Sequence, residues 1–328
     1  MDAPPLRWGV VGTGWIADRF AAALRASTRQ QVYAVGSRSR EGADRFAARV
    51  GAPTAYGSYE ALVADPAVDV VYVATPHNHH HPHARLALQA GKAVVVEKPM
   101  GLSAAQCRDL HGLAQERGLF LMEAMWSLFL PKFDVVRQLL ADGALGDVHA
   151  VLADLGEHFG PDHRIWRADL AGGPLMDLGT YPLTMATWVL GAPSQVSAVG
   201  TFAADGLNVQ AGITLRTARD QLAVLHTTQL GNTPTTATIQ GSRATLELAG
   251  PFCQPGDLTL RGTDGAVLCW EEEAVGHAAL HFQAAEVARR VAHGETGSPL
   301  RPLADTVTTM AVMDEVRRQL GIVHAEER

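Results

Sequence analysis

The chain has 328 residues, of which 47% are hydrophobic, so it can bury a sizeable core and is more naturally divided into two domains than one. Its formal charge is −7, with 34 acidic against 27 basic residues and no clustered Lys/Arg stripe, which argues against a nucleic-acid partner. A small or neutral ligand fits this charge better.

The sequence also lacks the marks of secreted and membrane proteins. The segment MDAPPLRWGVVG has no basic and apolar blocks of a signal peptide, and no apolar run reaches the roughly 18 residues that span a bilayer. The three cysteines, Cys107, Cys253 and Cys269, are odd in number and widely spaced, which is typical of reduced thiols. We therefore expect a cytoplasmic protein with no membrane partner.

Short apolar runs alternate with helical patterns in the first part of the chain. The strand-like runs are LRWGVVG (6–12), QVYAVGS (31–37), VDVVYVAT (68–75), AVVVE (93–97) and LFLME (119–123). Near-continuous apolar runs, rather than strict alternation, are typical of parallel strands covered on both faces. The order βαβαβ therefore predicts an α/β fold whose residues 1–122 form a Rossmann-type, doubly wound parallel sheet.

The pattern changes in residues 123–328. A helix-like segment at 130–141 is followed by alternating runs at 208–217, 221–230 and 235–248, and alternation indicates a sheet with one wet face. We predict an α+β domain for substrate binding and oligomerisation, with a large, open, mainly antiparallel sheet. Helical patterns at 277–294 and 303–321 would cover this sheet. Alternatively, the helix at 303–320 packs back on the first domain.

A glycine motif follows the first strand directly. Gly12, Gly14 and Ala17 form G-x-G-x-x-A, and a good helix pattern comes next. Gly12 permits a tight turn, Gly14 allows the backbone to approach a pyrophosphate, and Ala17 allows close packing of the helix. Because strand, motif and helix occur in this order, the sequence predicts a dinucleotide site.

The end of the second strand bears on the choice of cofactor. An NAD site usually carries Asp or Glu there, whereas this chain has Ser37 and Arg38. A carboxylate would repel a 2′-phosphate and a guanidinium would bind one, so the sequence favours NADP(H) over NAD(H). The alternative is that Arg38 and Arg40 are an ordinary solvated strand end.

The run AVVVEKPM ends a buried strand with Glu97, Lys98 and Pro99. Ligands of open α/β sheets lie beyond the carboxyl ends of the strands, so we expect these residues near the nicotinamide. A lysine beside the reacting carbon can polarise a carbonyl, and Pro99 restricts the backbone beside it. The alternative is a solvated lysine at a strand end.

A second candidate segment is AGGPLMDLGTYPLTMATWVLG, residues 171–191. Asp177 and Tyr181 are four residues apart, so on a helix they would share one face below Gly172 and Gly173. If Lys98 lies opposite, its charge would favour the Tyr181 phenolate and make this tyrosine a proton donor or acceptor. Asp177 would then orient the lysine or hold a substrate hydroxyl. The alternative is a core tyrosine with a capping aspartate.

Four segments together carry a resemblance. They are GTGWIA (12–17), ATP with His80 (74–80), AGKAVVVEKP (90–99) and LAGGPLMDLGTYP (170–182). In their order and spacing the chain resembles the glucose-fructose oxidoreductase and inositol dehydrogenase (Gfo/Idh/MocA) family over almost its whole length. The segment LFLMEAMWSLFLP (119–131) is similar to the branch of dimeric dihydrodiol dehydrogenases, NADP-linked D-xylose dehydrogenases and sugar ketoreductases.

This resemblance implies a set of site residues. Lys98, Tyr181 and Asp177 would be catalytic, with Tyr181 as the acid/base. Cofactor contacts would come from Gly12, Thr13, Gly14, Trp15, Ile16, Ser37, Arg38, Thr75, Pro76, His80, Glu97 and Lys98. The resemblance also places Trp126, Arg164 and Trp166 near the nicotinamide or substrate. Without the resemblance, Trp126 would be interpreted as a core aromatic residue.

The histidine-rich run HNHHHPH, residues 77–83, suggests a metal site because imidazole is a good zinc ligand. The run bridges a strand end and a helix start, however, and has no nearby cysteine or carboxylate set. We therefore predict no metal.

These observations lead to one functional expectation and two alternatives. We expect an NADP(H)-dependent oxidoreductase that interconverts an alcohol and a carbonyl on a sugar, polyol or cyclic diol by hydride transfer. One alternative is an NADPH-dependent ketosugar reductase in a sugar-modifying biosynthetic pathway. The other is a non-catalytic dinucleotide-binding sensor, against which the complete set of Lys98, Asp177 and Tyr181 argues. The resemblance further implies a homodimer or homotetramer formed through the second-domain sheet.

Overall fold

The computed structural model describes residues 3–327, with the side chain at position 327 left out. The chain divides into two compact units. The first comprises the chain up to Gly101 with residues 105–129 and 275–304, and the second comprises residues 102–104, 130–274 and the chain from Asp305 onward.

The strands of both units follow in chain order. They are β1 (Arg7–Val11), β2 (Gln31–Gly36), β3 (Thr54–Tyr56), β4 (Val70–Val73), β5 (Ala93–Glu97), β6 (Leu121–Ala124), β7 (Val148–Gly156), β8 (Gln195–Phe202), β9 (Asn208–Arg216), β10 (Leu222–Thr228), β11 (Ala237–Gly241), β12 (Ala244–Leu248), β13 (Leu258–Gly262) and β14 (Val267–Trp270).

The α-helices are α1 (Trp15–Ser27), α2 (Arg40–Val50), α3 (Tyr59–Val63), α4 (His80–Gln89), α5 (Ala104–Arg117), α6 (Pro131–Ala141), α7 (Pro174–Asp177), α8 (Thr180–Leu190), α9 (His281–Ala292) and α10 (Leu303–Leu320). Short 3-10 turns occur at His77–His79, Trp126–Phe129, Arg164–Trp166, Ala168–Leu170, Gly276–Leu280 and Ala325–Glu327.

The first unit contains the predicted parallel sheet. Its strand order is β3-β2-β1-β4-β5-β6, every pair is parallel, and the order reverses between β1 and β4. Strands β4 and β5 are buried along their whole length, because helices cover both faces of such a sheet. The doubly wound sheet is confirmed. The three-residue β3 was not predicted, since it is too short to show a periodic pattern.

The second unit contains an eight-stranded sheet in the order β14-β13-β12-β11-β7-β10-β9-β8. Its pairs are antiparallel except for β7 and β10, which run parallel, so the mainly antiparallel sheet is also confirmed. The alternating run at 235–248 forms the hairpin of β11 and β12. Helix α8 packs on β7 and β10 and covers one face.

The unit boundary differs from the predicted division between residues 122 and 123. It falls after Phe129, and residues 275–304 return to the first unit. Helix α9 buries Ala284 and Ala285 there, and Arg301 pairs with Glu123 at 2.7 Å with both side chains 1% exposed. These contacts join residues far apart in sequence, so no local sequence pattern predicts them.

Helix α10 belongs to the second unit apart from its first two residues. The Thr309 and Thr187 hydroxyl oxygens lie 2.9 Å apart, and the Gln319 side chain accepts from the backbone N–H of Ala198 at 2.9 Å. These two bonds connect α10 to α8 and β8. Arg317 Nη1 also donates to Leu102 O at 2.6 Å, and Asp314 Oδ2 accepts from the Ala104 N–H at 2.9 Å. These bonds connect α10 to residues 102–104, which the sequence analysis counted with the first domain and which belong to the second unit.

Candidate active site

The turn after β1 has the geometry that the glycine motif predicts. Gly12 has φ +105°, its N–H donates to Gly36 O at 3.2 Å, and a Cβ at this position would lie 2.7 Å from Ala74 O. Only glycine fits such a turn, because any side chain would collide with this backbone. Gly14 caps α1, and a Cβ there would meet no protein atom within 4 Å. The helix N-terminus is thus open to a phosphate.

At the end of β2, Arg38 and Arg40 have different surroundings, which bears on whether either of them is free to bind a phosphate. Arg40 pairs with Asp44 through Nε at 2.9 and 3.0 Å, so it is engaged on the surface of α2. Arg38 is exposed, and within residues 3–327 its side chain makes no hydrogen bond or ion pair. At the same strand end, Ser37 donates its backbone N–H to Tyr56 O at 3.1 Å.

His80 joins the loops that follow β4 and β5. Its Nε2 lies 2.7 Å from Thr75 O and its Nδ1 lies 2.7 Å from Pro99 O, and the side chain is 1% exposed. Carbonyl oxygens only accept hydrogen bonds, so both ring nitrogens must carry a hydrogen for both bonds to form. His80 therefore holds Thr75 and the loop of Lys98 from inside the protein.

The other histidines of this run point in different directions. His81 contacts the exposed Asp109 at 2.8 Å, whereas His83 contacts the hydroxyl of Thr75 at 3.1 Å and packs edge-on against Tyr59. Burial, together with the charges of neighbouring histidines, lowers the pKa of His83 to about 4. Within residues 3–327 no three His, Cys, Asp or Glu side chains are grouped to hold a metal ion. Pro76, also named from the sequence, precedes the first turn of this run.

Glu97 lies inside the protein at the end of β5, directly before Lys98. Its carboxylate accepts hydrogen bonds from the Tyr72 hydroxyl and from the Lys98 N–H at 3.3 Å, and its side chain is 5% exposed. Burial raises the pKa of Glu97 to about 7, against the opposing effects of the Tyr72 bond and the Lys98 charge. Lys98 itself is half-buried. A proton is therefore gained or lost near neutral pH directly beside the candidate catalytic lysine.

Replacing Glu97 with Gln should remove a pH dependence of stability. The folded chain keeps this proton up to about pH 7, whereas the unfolded chain releases it near pH 4.5, so the free energy of unfolding falls as the pH rises between these values. A shift of this size corresponds to about 3 kcal/mol. Urea unfolding of Glu97→Gln from pH 5 to pH 8 should show this fall strongly reduced. The exposed variant Glu116→Gln is the control and should keep it.

An aromatic group beside the glycine turn includes a residue that the sequence did not suggest. The ring of His277 stacks on Trp126 at 5.2 Å and 25° and meets the edge of Trp15 at 4.8 Å and 79°. Burial, then the charges of Arg19 and Lys98, lower the pKa of His277. Trp126 is only 3% exposed. No motif surrounds His277, so only the fold reveals it.

Asp177 and Tyr181 do not share one helix, which corrects the sequence-based expectation. Helix α7 ends at Asp177, and α8 begins at Thr180. Pro174 O accepts from both Leu178 N and Gly179 N at 2.8 Å, which closes the first helix after one turn. A Cβ at Gly179 would lie 2.8 Å from Leu175 O, so glycine permits this break.

The segment before α7 positions Asp177. A Cβ at Gly172 would lie 2.5 Å from Ile165 O, so only glycine allows this close approach of the two backbone segments. Arg164, on the adjoining turn, places Nη2 at 3.0 Å from both carboxylate oxygens of Asp177, which is 6% exposed. Trp166 donates its Nε1–H to Phe159 O at 3.1 Å. Arg164 therefore neutralises and orients a buried carboxylate.

The candidate residues thus form two groups. The glycine turn, Arg38, Lys98 and Trp126 belong to the first unit. Arg164, Asp177 and the half-buried Tyr181 belong to the second.

Comparisons with known families and proteins cover both units of the chain. Residues 6–125 match the model of an oxidoreductase family with an NAD-binding Rossmann fold, and residues 133–247 match the Gfo/Idh/MocA C-terminal domain. The trans-1,2-dihydrobenzene-1,2-diol dehydrogenase of mouse (Mus musculus) is 33% identical over 331 residues, which cover 98% of this chain and 99% of that protein. The chain belongs to the Gfo/Idh/MocA family. It is therefore an oxidoreductase with a nicotinamide-binding first unit.

Two further relatives of this Gfo/Idh/MocA oxidoreductase are informative. The human dihydrodiol dehydrogenase is 33% identical over 337 residues, covering 98% of this chain and 99% of that protein. KijD10, a 3-ketoreductase from Actinomadura kijaniata solved with NADP and TDP-benzene, has a TM-score of 0.84 and 30% identity, covering 96% of this chain and 98% of its own. Within the described residues, no helix is long and apolar enough to cross a membrane.

Proposed function

We propose that this enzyme uses NADP(H) to interconvert an alcohol and a carbonyl on a sugar, polyol or cyclic diol. One observation carries the proposal: Lys98 stands at the carboxyl end of β5, on the loop that His80 holds, in a chain related over its full length to dihydrodiol dehydrogenases. Ligands of open α/β sheets lie beyond this edge.

We assign the following roles in the reaction to residues of this chain. The cofactor, when bound, supplies or accepts the hydride. Lys98 stabilises negative charge that develops on the substrate oxygen, and Tyr181 gives or takes the proton at that oxygen. Asp177, fixed by two hydrogen bonds from Arg164, orients a substrate hydroxyl. The half-buried ring of His277, which stacks on the buried Trp126, offers an aromatic surface to a cyclic substrate.

The preference for NADP(H) rests on Arg38. Its exposed guanidinium is not engaged by another described side chain, and Gly14 leaves room at the N-terminus of α1 for the pyrophosphate. A charge-assisted bond to a 2′-phosphate contributes about 1.5–3 kcal/mol, or roughly ten- to hundredfold in affinity.

The variant Arg38→Ala should bind NADPH roughly ten- to hundredfold more weakly and leave NADH affinity almost unchanged, because only NADPH has the 2′-phosphate. Fluorescence titration with both cofactors measures this ratio. Arg40→Ala is the matched control, since Asp44 already holds Arg40. Equal losses for both cofactors would refute the assignment of Arg38 to the phosphate.

The substrate class is tested by single-turnover absorbance of the nicotinamide. NADP⁺ is offered with pooled aldoses, polyols and cyclic diols, and NADPH is offered with pooled ketosugars. Hydride transfer in one pool identifies both the direction and the class. Binding of NADPH without transfer in either pool would favour the sensor alternative.

A ketosugar reductase is a second candidate function. The structural likeness to KijD10, a 3-ketoreductase, favours it. Reaction with the ketosugar pool alone would support this candidate over a dehydrogenase.

We also propose that a second copy of the chain covers the open face of the second-unit sheet. Val224 and Leu152 lie opposite each other on β10 and β7, and Val199 is exposed on the nearby β8. Contiguous exposed apolar residues of this kind mark an interface. Light scattering should give a multiple of 34.9 kDa, and Val224→Asp should reduce it to the single-chain mass. Val275→Asp, exposed in the first unit, should not.

The cytoplasmic location remains a proposal that rests on the cysteines. Cys107, Cys253 and Cys269 are all free thiols.

A further inference from the structure

The peptide bond between Pro99 and Met100, directly after Lys98, is held at both of its polar atoms. Its carbonyl oxygen lies 2.7 Å from Nδ1 of His80, and its N–H donates to Oε1 of Glu123 at 3.0 Å. Met100 is fully buried, and His80 and Glu123 are each 1% exposed. Such a peptide unit cannot rotate without losing a buried hydrogen bond, which is costly. The backbone that carries Lys98 is therefore fixed on its C-terminal side.

Arg301 holds the other oxygen of the same carboxylate. Its Nε and Nη2 donate to Glu123 Oε2 at 2.9 and 2.7 Å, and both side chains are 1% exposed. Two charge-assisted bonds from one guanidinium neutralise the carboxylate and fix its orientation. On β6, Glu123 pairs with Val96 of β5, so it stands beside the end of the strand that leads to Lys98. Its Oε1 is thereby directed at the Met100 N–H.

The stretch of chain before Arg301 is attached to the same strand. Leu121, at the start of β6, donates its N–H to Thr296 O at 3.1 Å. The hydroxyl of Ser298 donates to Glu286 Oε1 on α9 at 2.9 Å. The guanidinium therefore projects from a segment that is bonded to both β6 and α9, which gives it a defined position.

Stability alone does not account for a buried ion pair at this place. Taking two charges out of water is costly, and replacing a buried pair with apolar residues of similar volume is often neutral or stabilising. The pair is better suited to holding a backbone segment in one position, since a reacting group displaced by about 1 Å can lose about 10²-fold in rate. The reacting group on this segment is Lys98, whose long side chain is only half-buried.

From these contacts, we propose that Glu123 and Arg301 are positioning residues for Lys98. Glu123 fixes the peptide that follows Pro99, and Arg301 fixes Glu123. Both side chains act from inside the first unit, where they are buried, and not by touching the substrate. The inference rests on the proposed role of Lys98 in hydride transfer.

Two double variants isolate the hydrogen bond to Met100. Both carry Arg301→Met, so neither leaves a charge of this pair buried alone, and any other effect of losing Arg301 is the same in both. The first adds Glu123→Gln, which keeps an oxygen that can accept from the Met100 N–H, and the second adds Glu123→Leu, which has none. Stopped-flow absorbance should give hydride transfer about 10²-fold slower in the Leu variant than in the Gln variant, at equal NADPH affinity.

The same comparison in a Lys98→Met background tests whether the effect passes through Lys98. The residual rates of the Gln and Leu variants should then agree within about threefold, because the group to be positioned is absent. A general loss of structure would instead lower the rate by the same factor in both backgrounds. Equal rates with Lys98 present, or an undiminished ratio with Lys98 absent, would overturn the proposal.

Hydrogen exchange of the Met100 amide tests the contact without turnover. In protein labelled with ¹⁵N-methionine, with the signal assigned through Met100→Leu, exchange should be at least about tenfold faster in the Leu variant than in the Gln variant. Equal exchange in the two folded variants would overturn the proposal. If thermal unfolding shows that the Leu variant does not fold, Glu123→Met with Arg301→Met replaces it. A parent protein that transfers no hydride would refute the proposed function instead, and the exchange rates would still decide whether Glu123 holds the loop.

Discussion

Replacing Lys98 with Met should lower the rate of hydride transfer by about 10³- to 10⁴-fold. Methionine keeps much of the length and apolar volume of the side chain but removes its positive charge. Of the two charged residues in the EKP segment at the end of β5, only Lys98 is not fully buried. NADPH affinity should stay within about threefold of the parent value, because we propose that the phosphates contact Arg38 and the glycine turn. Stopped-flow absorbance measures the rate, and fluorescence titration measures the affinity.

Lys92→Met is the matched control for this substitution. Lys92 donates to Asp65 O at 2.6 Å and to Val68 O at 2.9 Å, so it supports a loop instead of a reaction. Its loss should lower the melting temperature and leave the rate constant almost unchanged. An unchanged rate in Lys98→Met would remove this lysine from the mechanism.

Replacing Tyr181 with Phe should lower the same rate by about 10²- to 10⁴-fold, since only the proton donor or acceptor is lost. The hydroxyl is a single atom at the start of α8, so the fold and the affinity for cofactor should persist. The decisive measurement is the pH profile of the residual rate of hydride transfer. An inflection that belongs to the tyrosine must disappear in the variant, whereas the contribution of Glu97 near neutral pH should remain.

Tyr56→Phe serves as the comparison for Tyr181→Phe. The Tyr56 hydroxyl donates to Asp65 at 2.8 Å, and its removal should change stability without changing the pH profile of the rate. A Tyr181→Phe protein with the parent rate and profile would leave the proton transfer to another group. In that case His277, which has a lowered pKa and lies close enough to Lys98 to feel its charge, would be the next residue to replace.

Much of the first unit could be predicted from local sequence. The apolar runs of β4 and β5 are continuous because both faces of these strands are covered, and the glycine motif follows β1 because the turn requires a positive φ at Gly12. The second sheet was recognisable from alternation at β9 and β10. In the same way, Lys98 was recognised by its place at a strand end.

Other features of the site escaped sequence reasoning for identifiable reasons. Four-residue spacing suggested one helix for Asp177 and Tyr181, but the close approach at Gly179 ends the first helix between them. The pairing of Arg164 with Asp177 depends on a turn whose path is set by Gly172. Spacing describes a regular helix and says nothing about such an interruption.

The sequence by itself determined the parallel nucleotide-binding sheet, the glycine turn and the position of Lys98, because each depends on residues that are neighbours along the chain. The tertiary structure alone decided the stacking of His277 on Trp126 and the return of residues 275–304 to the first unit. These join residues far apart in the chain, and contacts of that kind arise from packing and hydrogen-bond satisfaction that leave no periodic trace in the sequence.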